Sequence, residues 1–214
     1  MIQKLLLDAT LETLYMVFLG TLFAVLIGTP MGLLLYVSAK DSVAENPGLY
    51  RVLDIIVNIV RSIPYVIFMF LVLPLSQILL GTTIGPTATL VSLALSAAPF
   101  FARTLEQALN DVDPGVVEAA LAMGSTNREL VFKVLLPEAM PAIISAITLL
   151  LINLVGFTAM AGTLGAGGLG AVAVRYGYYR REETILMASV VIIIVLVQAF
   201  QLLGMGLARK VNKK

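Results

Sequence analysis

The side chains that carry most enzymatic chemistry are missing from this sequence. It contains neither Cys nor His, which removes thiol nucleophiles, imidazole general bases and the usual zinc, copper and haem ligand sets. Two glycine spacings still invite a chemical reading. Gly165-Ala-Gly167-Gly168-Leu-Gly170 is a literal G-x-G-x-x-G. However, it follows an apolar run of helical length rather than a strand, and the residues about 20 positions onward are apolar where a dinucleotide site needs a carboxylate. A phosphate-cradling G-x-x-x-x-G-K-[ST] is absent, because no lysine is followed by Ser or Thr. The chain is therefore expected not to be an enzyme and to hold no cofactor or metal. If it works with ATP, then ATP and Mg belong to a partner. What remains is one carboxylate among small residues, in Asp113-Pro-Gly-Val-Val-Glu118-Ala119-Ala120-Leu-Ala-Met-Gly124. That pattern suits a short helix lying close against another surface, or a plain connector.

The elements that position these residues are apolar. With 59% hydrophobic and 13% charged residues and a mean hydropathy of +0.99, the chain reads as a membrane protein, since soluble domains carry nearer ~25% charged residues. The net charge of +1 gives no field that would favour nucleic acid. Four windows lack Asp, Glu, Lys and Arg: 13–39, 62–102, 139–174 and 184–208. A crossing needs about 20 apolar residues, so the second window holds two crossings, turned at Gly81-Thr-Thr-Ile-Gly85-Pro86. The third window holds one crossing and then a glycine-rich tail poorly suited to helix. The expectation is an all-α fold of five transmembrane helices over about 13–38, 55–79, 85–103, 139–161 and 184–208, as one domain, 1–214.

Charge sets the orientation. With the C-terminus inside, Lys40, Arg51, Arg61, Arg103, Arg128, Lys133, Arg209, Lys210, Lys213 and Lys214 are cytoplasmic, and only Lys4, Arg175, Arg180 and Arg181 are outside. That asymmetry places the N-terminus outside. Asp8 and Glu12 precede a first apolar run too long for a signal peptide, so that span is read as a retained anchor. Arg61 and Arg103, at the ends of the long window, are expected to snorkel to cytoplasmic headgroups, and the basic tail to anchor topology and attract anionic lipid.

The longest segment outside the spans, about 104–138, is too short to build its own core and is read as a docking loop. Asp113 is a candidate N-cap with Pro114 at the first helical position, Gly124 a candidate stop, and Ser125-Thr126 the cap of a second short helix bearing Arg128, Glu129 and Lys133.

Glu-Ala-Ala, three residues, Gly, nine residues and Val-Leu-Leu-Pro137 resembles the cytoplasmic signature of permease subunits of binding-protein-dependent ABC importers, with Val134 where that family often has Ile. Asn58-Ile-Val-Arg61-Ser-Ile-Pro64, Ala97-Ala-Pro99-Phe-Phe-Ala-Arg103, 154–170 and Tyr176-Gly-Tyr-Tyr179 extend the similarity over nearly the whole chain, toward the methionine-import permeases. The resemblance implies an ABC-importer permease bundle in the bacterial cytoplasmic (inner) membrane. It also implies a second copy of the chain, two ATP-binding subunits, an extracytoplasmic substrate-binding protein, and L- and D-methionine as cargo. By resemblance Glu118, Ala119, Ala120 and Gly124 couple the ATPase to the spans.

The pathway is read from the residues themselves. Asn153 is the deepest amide in a span and lies seven residues, two helical turns, before Met160. If their shared face lines the route, Asn153 meets solute and Met160, flexible and apolar, closes it; interhelical packing is the equal alternative. Gly165, Gly167, Gly168 and Gly170 are read as a flexible re-entry at the external mouth. Gly20, Ala24, Gly28 and Gly32 form a small-residue ladder for close helix contact, with Pro30 expected to bend its helix. Missing in-span carboxylates argue against a motor-free secondary transporter. An intramembrane enzyme lacks its constellation, and a bare scaffold has no use for the Glu-Ala-Ala loop.

Overall fold

The computed structural model describes residues 2–212 and is helical throughout its regular elements. Lys213 and Lys214 of the basic tail lie outside the described residues. Four helices are long and apolar enough to cross a membrane alone: α1 (Ile2–Ser38), α4 (Pro86–Asn110), α8 (Met140–Gly162) and α10 (Glu183–Val211). The remaining apolar segment differs from the continuous span expected over about 55–79. It is broken into α2 (Pro47–Ser62) and α3 (Tyr65–Leu80), bent by 110°. At 16 residues each and a rise of 1.5 Å per residue, each half is about 24 Å long, short of a bilayer core of roughly 30 Å. Pro64 causes the break: it lacks the N–H that a continuing helix needs and drives Ile63 into extended backbone (φ −85°, ψ 125°).

The centre of the bundle is α4, most of whose residues are buried, including Leu93, Ala97, Phe101, Leu105 and Leu109. Against it lies α1, and the small-residue ladder is the seam. A Cβ on Gly28 would come within 2.6 Å of the Ala98 carbonyl oxygen, and one on Gly32 within 2.7 Å of that of Ala102. The ladder thus serves packing inside one chain, and α1 continues as a single helix through Pro30. By contrast, only 17% of the most apolar window of α10 is buried. Ile194, Val195, Leu202 and Leu203 point outward, as a lipid-facing helix requires.

Of the two arginines at the ends of the long window, Arg103 is paired inside the bundle. The Arg103 side chain, 15% exposed, pairs with Asp54 of α2 and donates from Nη1 to Glu106 Oε2 at 2.7 Å. Asn58 Oδ1 accepts from Nη2 at 3.4 Å, and the Tyr50 hydroxyl donates to Glu106 Oε1 at 3.3 Å. Two carboxylates within reach outcompete a solvated headgroup position, and the cluster fastens α2 to α4. Arg61 lies at the elbow, one residue before α2 ends, beside Ser96 and Phe100 of α4.

The glycine-rich tail is also more ordered than its composition suggests. Gly168–Val172 forms α9, continued by π-helical Ala173–Tyr178. The acceptors for its first amides come from α1: Gly168 N–H donates to Glu12 Oε2 at 2.7 Å and Leu169 N–H to Thr13 Oγ1 at 2.9 Å. A tertiary partner 156 residues away supplies the helix start that the local sequence lacks.

Candidate functional site

The loop between α4 and α8 begins later than the expected 104, because α4 stays helical to Asn110. It then forms α5 (Pro114–Ala122). The Asp113 side chain accepts from Gly115 N–H at 2.8 Å and Pro114 occupies the first turn, where a missing N–H costs nothing. At the other end Gly124, at φ +83°, closes a Schellman motif. Its N–H reaches Leu121 O at 2.9 Å and Ser125 N–H reaches Ala120 O at 3.1 Å. A second start follows at once. Thr126 and Glu129 form a reciprocal capping box on α6 (Asn127–Glu129), and π-helical Leu130–Leu135 and α7 (Leu136–Glu138) lead back to α8. Lys133 Nζ donates to Glu129 Oε1 at 2.9 Å, and with the Thr126 bonds this holds the Glu129 carboxyl down to about 2. Asn127 Nδ2 donates to Val43 O at 3.0 Å, tying the loop to the α1–α2 connection.

The four residues expected to couple to an ATPase differ in their placement. Glu118 and Ala119 are exposed on α5, and among the described residues Glu118 makes no ion pair or hydrogen bond. Ala120 is 3% exposed and packs into the core with Leu130 and Leu135, so it seats the helix instead of touching a partner. Gly124 is exposed and shapes the turn. Three apolar residues missed in the sequence reading complete the outer surface: Val116, Leu121 and Met123, the last 81% exposed. Their helical spacing around Glu118 was the available signal, masked because Leu and Met in a helix look like core. An exposed apolar rim around an unpaired carboxylate is the composition of a docking face.

On α8, Asn153 and Met160 do share a face. Leu149, Asn153, Gly156, Met160 and Thr163 are all exposed, spaced four, three, four and three residues apart, which draws one stripe along the helix. Gly156 has open space where a side chain would be, and Met160 is 49% exposed. Asn153 also borders a cavity toward the elbow. The opposite side of α8 is core, with Leu150, Leu154 and Val155 buried.

The glycine cluster lies at the end of the bundle opposite α5. Gly165, Gly167 and Gly168 take positive φ of 96°, 86° and 79°, and Gly85 N–H donates to Gly165 O at 3.0 Å. Gly168 and Gly170 are buried, with Gly170 pressed onto the Ala159 backbone. The glycines therefore serve close backbone approach, joining α1, the α3–α4 turn and α9. Gly165 and Gly167 are partly exposed.

Residues 24–214 match the family described as binding-protein-dependent transport system inner membrane component. The chain is 46% identical over 212 residues to the probable D-methionine transport system permease protein MetI of Vibrio cholerae, covering 99% of this chain and 94% of that one. It is 43% identical to the methionine import system permease protein MetP of Bacillus subtilis over 97% and 93% of the two chains. A crystal structure of inward-facing conformations of the MetNI methionine ABC transporter superposes with a TM-score of 0.96 at 42% identity, covering 99% of this chain and 98% of that one. An amino acid ABC transporter solved with histidines shares the fold at a TM-score of 0.81 and 21% identity, over 97% and 94%.

Proposed function

The chain belongs to the family of binding-protein-dependent transport system inner membrane components, and we propose that it is the membrane-spanning subunit of an ATP-driven importer of L- and D-methionine. The proteins similar to it over nearly their whole length are named for methionine transport, which supports the cargo. It is a multi-pass membrane protein of an inner-membrane family. Two copies form the route between them, with the N-terminus outside and the C-terminus in the cytoplasm. The α8 stripe of Leu149, Asn153, Gly156 and Met160, open in the single chain, faces that route, since identical copies favour closed two-fold symmetry. Two ATPase subunits, which hold ATP and Mg, dock on the two α5 helices. A substrate-binding protein delivers solute at the external end, where Gly165, Gly167, Gly168 and Gly170 shape the mouth.

The single observation that carries the coupling is the build of α5. It is capped at both ends, seated through Ala120, and outwardly apolar around an unpaired Glu118. A rigid helix fixed to α4 and, through Asn127, to the α1–α2 connection moves those spans when its socket closes. Closing of the ATPase pair draws the two α5 helices together and opens the route outward. Hydrolysis resets it, with Met160 sealing the route between cycles.

The test is a mild-detergent pull-down of the tagged chain from its own membranes, followed by methionine uptake. Recovery of an ATPase at one to one, lost in a Glu118→Ala and Gly124→Val double variant, is expected. Recovery of the homo-oligomer alone at good yield would overturn the coupling.

A further inference from the structure

Between the α2–α3 elbow, α4 and α8 lies a cavity of about 190 Å³. Its walls are mostly apolar, with Ile63, Phe100, Leu150, Leu154 and Phe157, and its polar lining includes Arg61 and Asn153. Pockets for drug-sized ligands run from roughly 300 Å³ upward, so this one suits a smaller molecule. Its position is deep. Asn153 is 13 residues from the start of α8 and nine from its end, or about 20 Å and about 14 Å along the axis.

Arg61 lines the same cavity, and a guanidinium within a membrane-spanning bundle needs an anion. The two arginines near the α2–α4 contact differ sharply in this respect. Arg103 is met by Asp54 and Glu106. Arg61 makes no ion pair or hydrogen bond with any described residue, and neither does Asn153. Asp54 and Asn58 share the Arg61 side of α2, but both are engaged by Arg103. A second copy of the chain brings no remedy. Beyond Asp54 and Glu106, the acidic residues lie toward the two ends of the bundle: Asp8, Glu12, Glu182 and Glu183 toward one, the rest toward the other.

Resting on the importer reading above, we infer that this cavity is a solute site within the permease itself, where Arg61 binds the carboxylate of an apolar amino acid. Asn153, through its amide oxygen, takes the ammonium group, and Phe100 and Phe157 face the side chain. A thioether gains from the two rings through sulfur–aromatic contact. Phe157 is held rigid for this role, stacked on Tyr65 with centroids 4.5 Å apart and planes 1° from parallel. The Tyr65 hydroxyl is in turn 3.3 Å from that of Ser92. Because Arg61 and Asn153 are both exposed in the single chain, the cavity opens toward the route.

The test uses photo-methionine, the diazirine analogue with carboxylate and ammonium intact, on the permease–ATPase complex in its own membranes. After illumination the permease peptides are read by mass spectrometry. Label is expected at the cavity wall, around Phe100 and Phe157. Excess L-methionine should remove it, while the same concentration of 3-(methylthio)propylamine, which lacks only the carboxylate, should not. Arg61→Gln should lower labelling at fixed probe concentration at least tenfold, and Arg61→Lys by less, since a point charge replaces a two-pronged donor. Equal competition by the amine in the wild-type complex, label confined elsewhere, or unchanged labelling of Arg61→Gln would overturn the site. Methionine uptake by the same membranes separates the two readings. Import without carboxylate-dependent label sinks the site and leaves the importer reading standing. Failure to import methionine sinks that cargo, and photo-leucine then decides the site: Arg61-dependent label keeps it, and no label overturns it.

Discussion

Gly124 offers a perturbation whose magnitude follows from backbone geometry alone. Its φ of +83° lies in the left-handed region, yet a Cβ there would meet no atom within 4 Å. Substitution therefore creates no clash, and the whole cost is conformational. For a non-glycine residue that cost is about 1–2 kcal/mol, toward the upper end for a β-branched side chain and lower for Asn, which tolerates this conformation. If Gly124→Val escapes by leaving the left-handed form, the Schellman bonds of Gly124 and Ser125 to Leu121 and Ala120 are lost, and Met123 and Leu121 leave their docking positions. A penalty of about 1–2 kcal/mol lowers the docking-competent population roughly 5- to 30-fold. The expected order of ATPase affinity is the parent chain, then Gly124→Asn, then Gly124→Ala, then Gly124→Val, measured by titrating purified ATPase subunit against the detergent-solubilised permease. ATPase-independent properties such as monodispersity and thermal stability of the bundle should stay unchanged, since the loop end is exposed. Gly124→Val binding as tightly as the parent chain, or Gly124→Asn and Gly124→Val losing equally, would refute the argument, because only backbone handedness distinguishes those outcomes from generic loss of a glycine.

Three further outcomes follow from the same structure. Arg103→Met leaves Asp54 and the nearly buried Glu106 without their cation, and breaking such a pair costs about 3–5 kcal/mol; thermal unfolding in detergent should fall clearly, and Arg103→Lys should lose less. Met160→Ala removes the bulk proposed to seal the route, so proteoliposomes should either leak methionine or hydrolyse more ATP per methionine imported; tight vesicles with unchanged coupling would take Met160 out of the gate. Glu129, held down to about 2 by Lys133 and Thr126, has a depressed folded pKa, so its contribution to the capping box is present above the ordinary carboxylate range and is lost only as pH falls through about 2. Amide exchange at Glu129, corrected for intrinsic rate, should be flat from pH 5 to 8, and Lys133→Met should move its loss to higher pH.

Much of the candidate site was legible because it is local. Asp113, Pro114, Gly124 and Thr126 specify their caps within four residues of chain, so the bounds of α5 follow from nearest-neighbour chemistry. The α8 stripe was likewise readable, since Asn153 and Met160 share a face by helical period. The outward Leu121 and Met123 were not, because apolar residues in a helix give no sign of whether a partner or the core covers them.

Composition and charge-free runs alone determined a helical membrane protein with room for five crossings, because transfer of apolar segments into lipid depends on length and residue type and needs no knowledge of neighbours. Tertiary structure decided what those crossings do with their polar groups. It turned Arg103 inward to Asp54 and Glu106, ended α2 at an elbow that leaves Arg61 unpaired beside Asn153, and made a helix of Gly168–Val172 by bringing Glu12 and Thr13 to its first amides. Each of those outcomes depends on a group far away in the chain, and in a low-dielectric interior the position of the nearest opposite charge or acceptor outweighs any local preference.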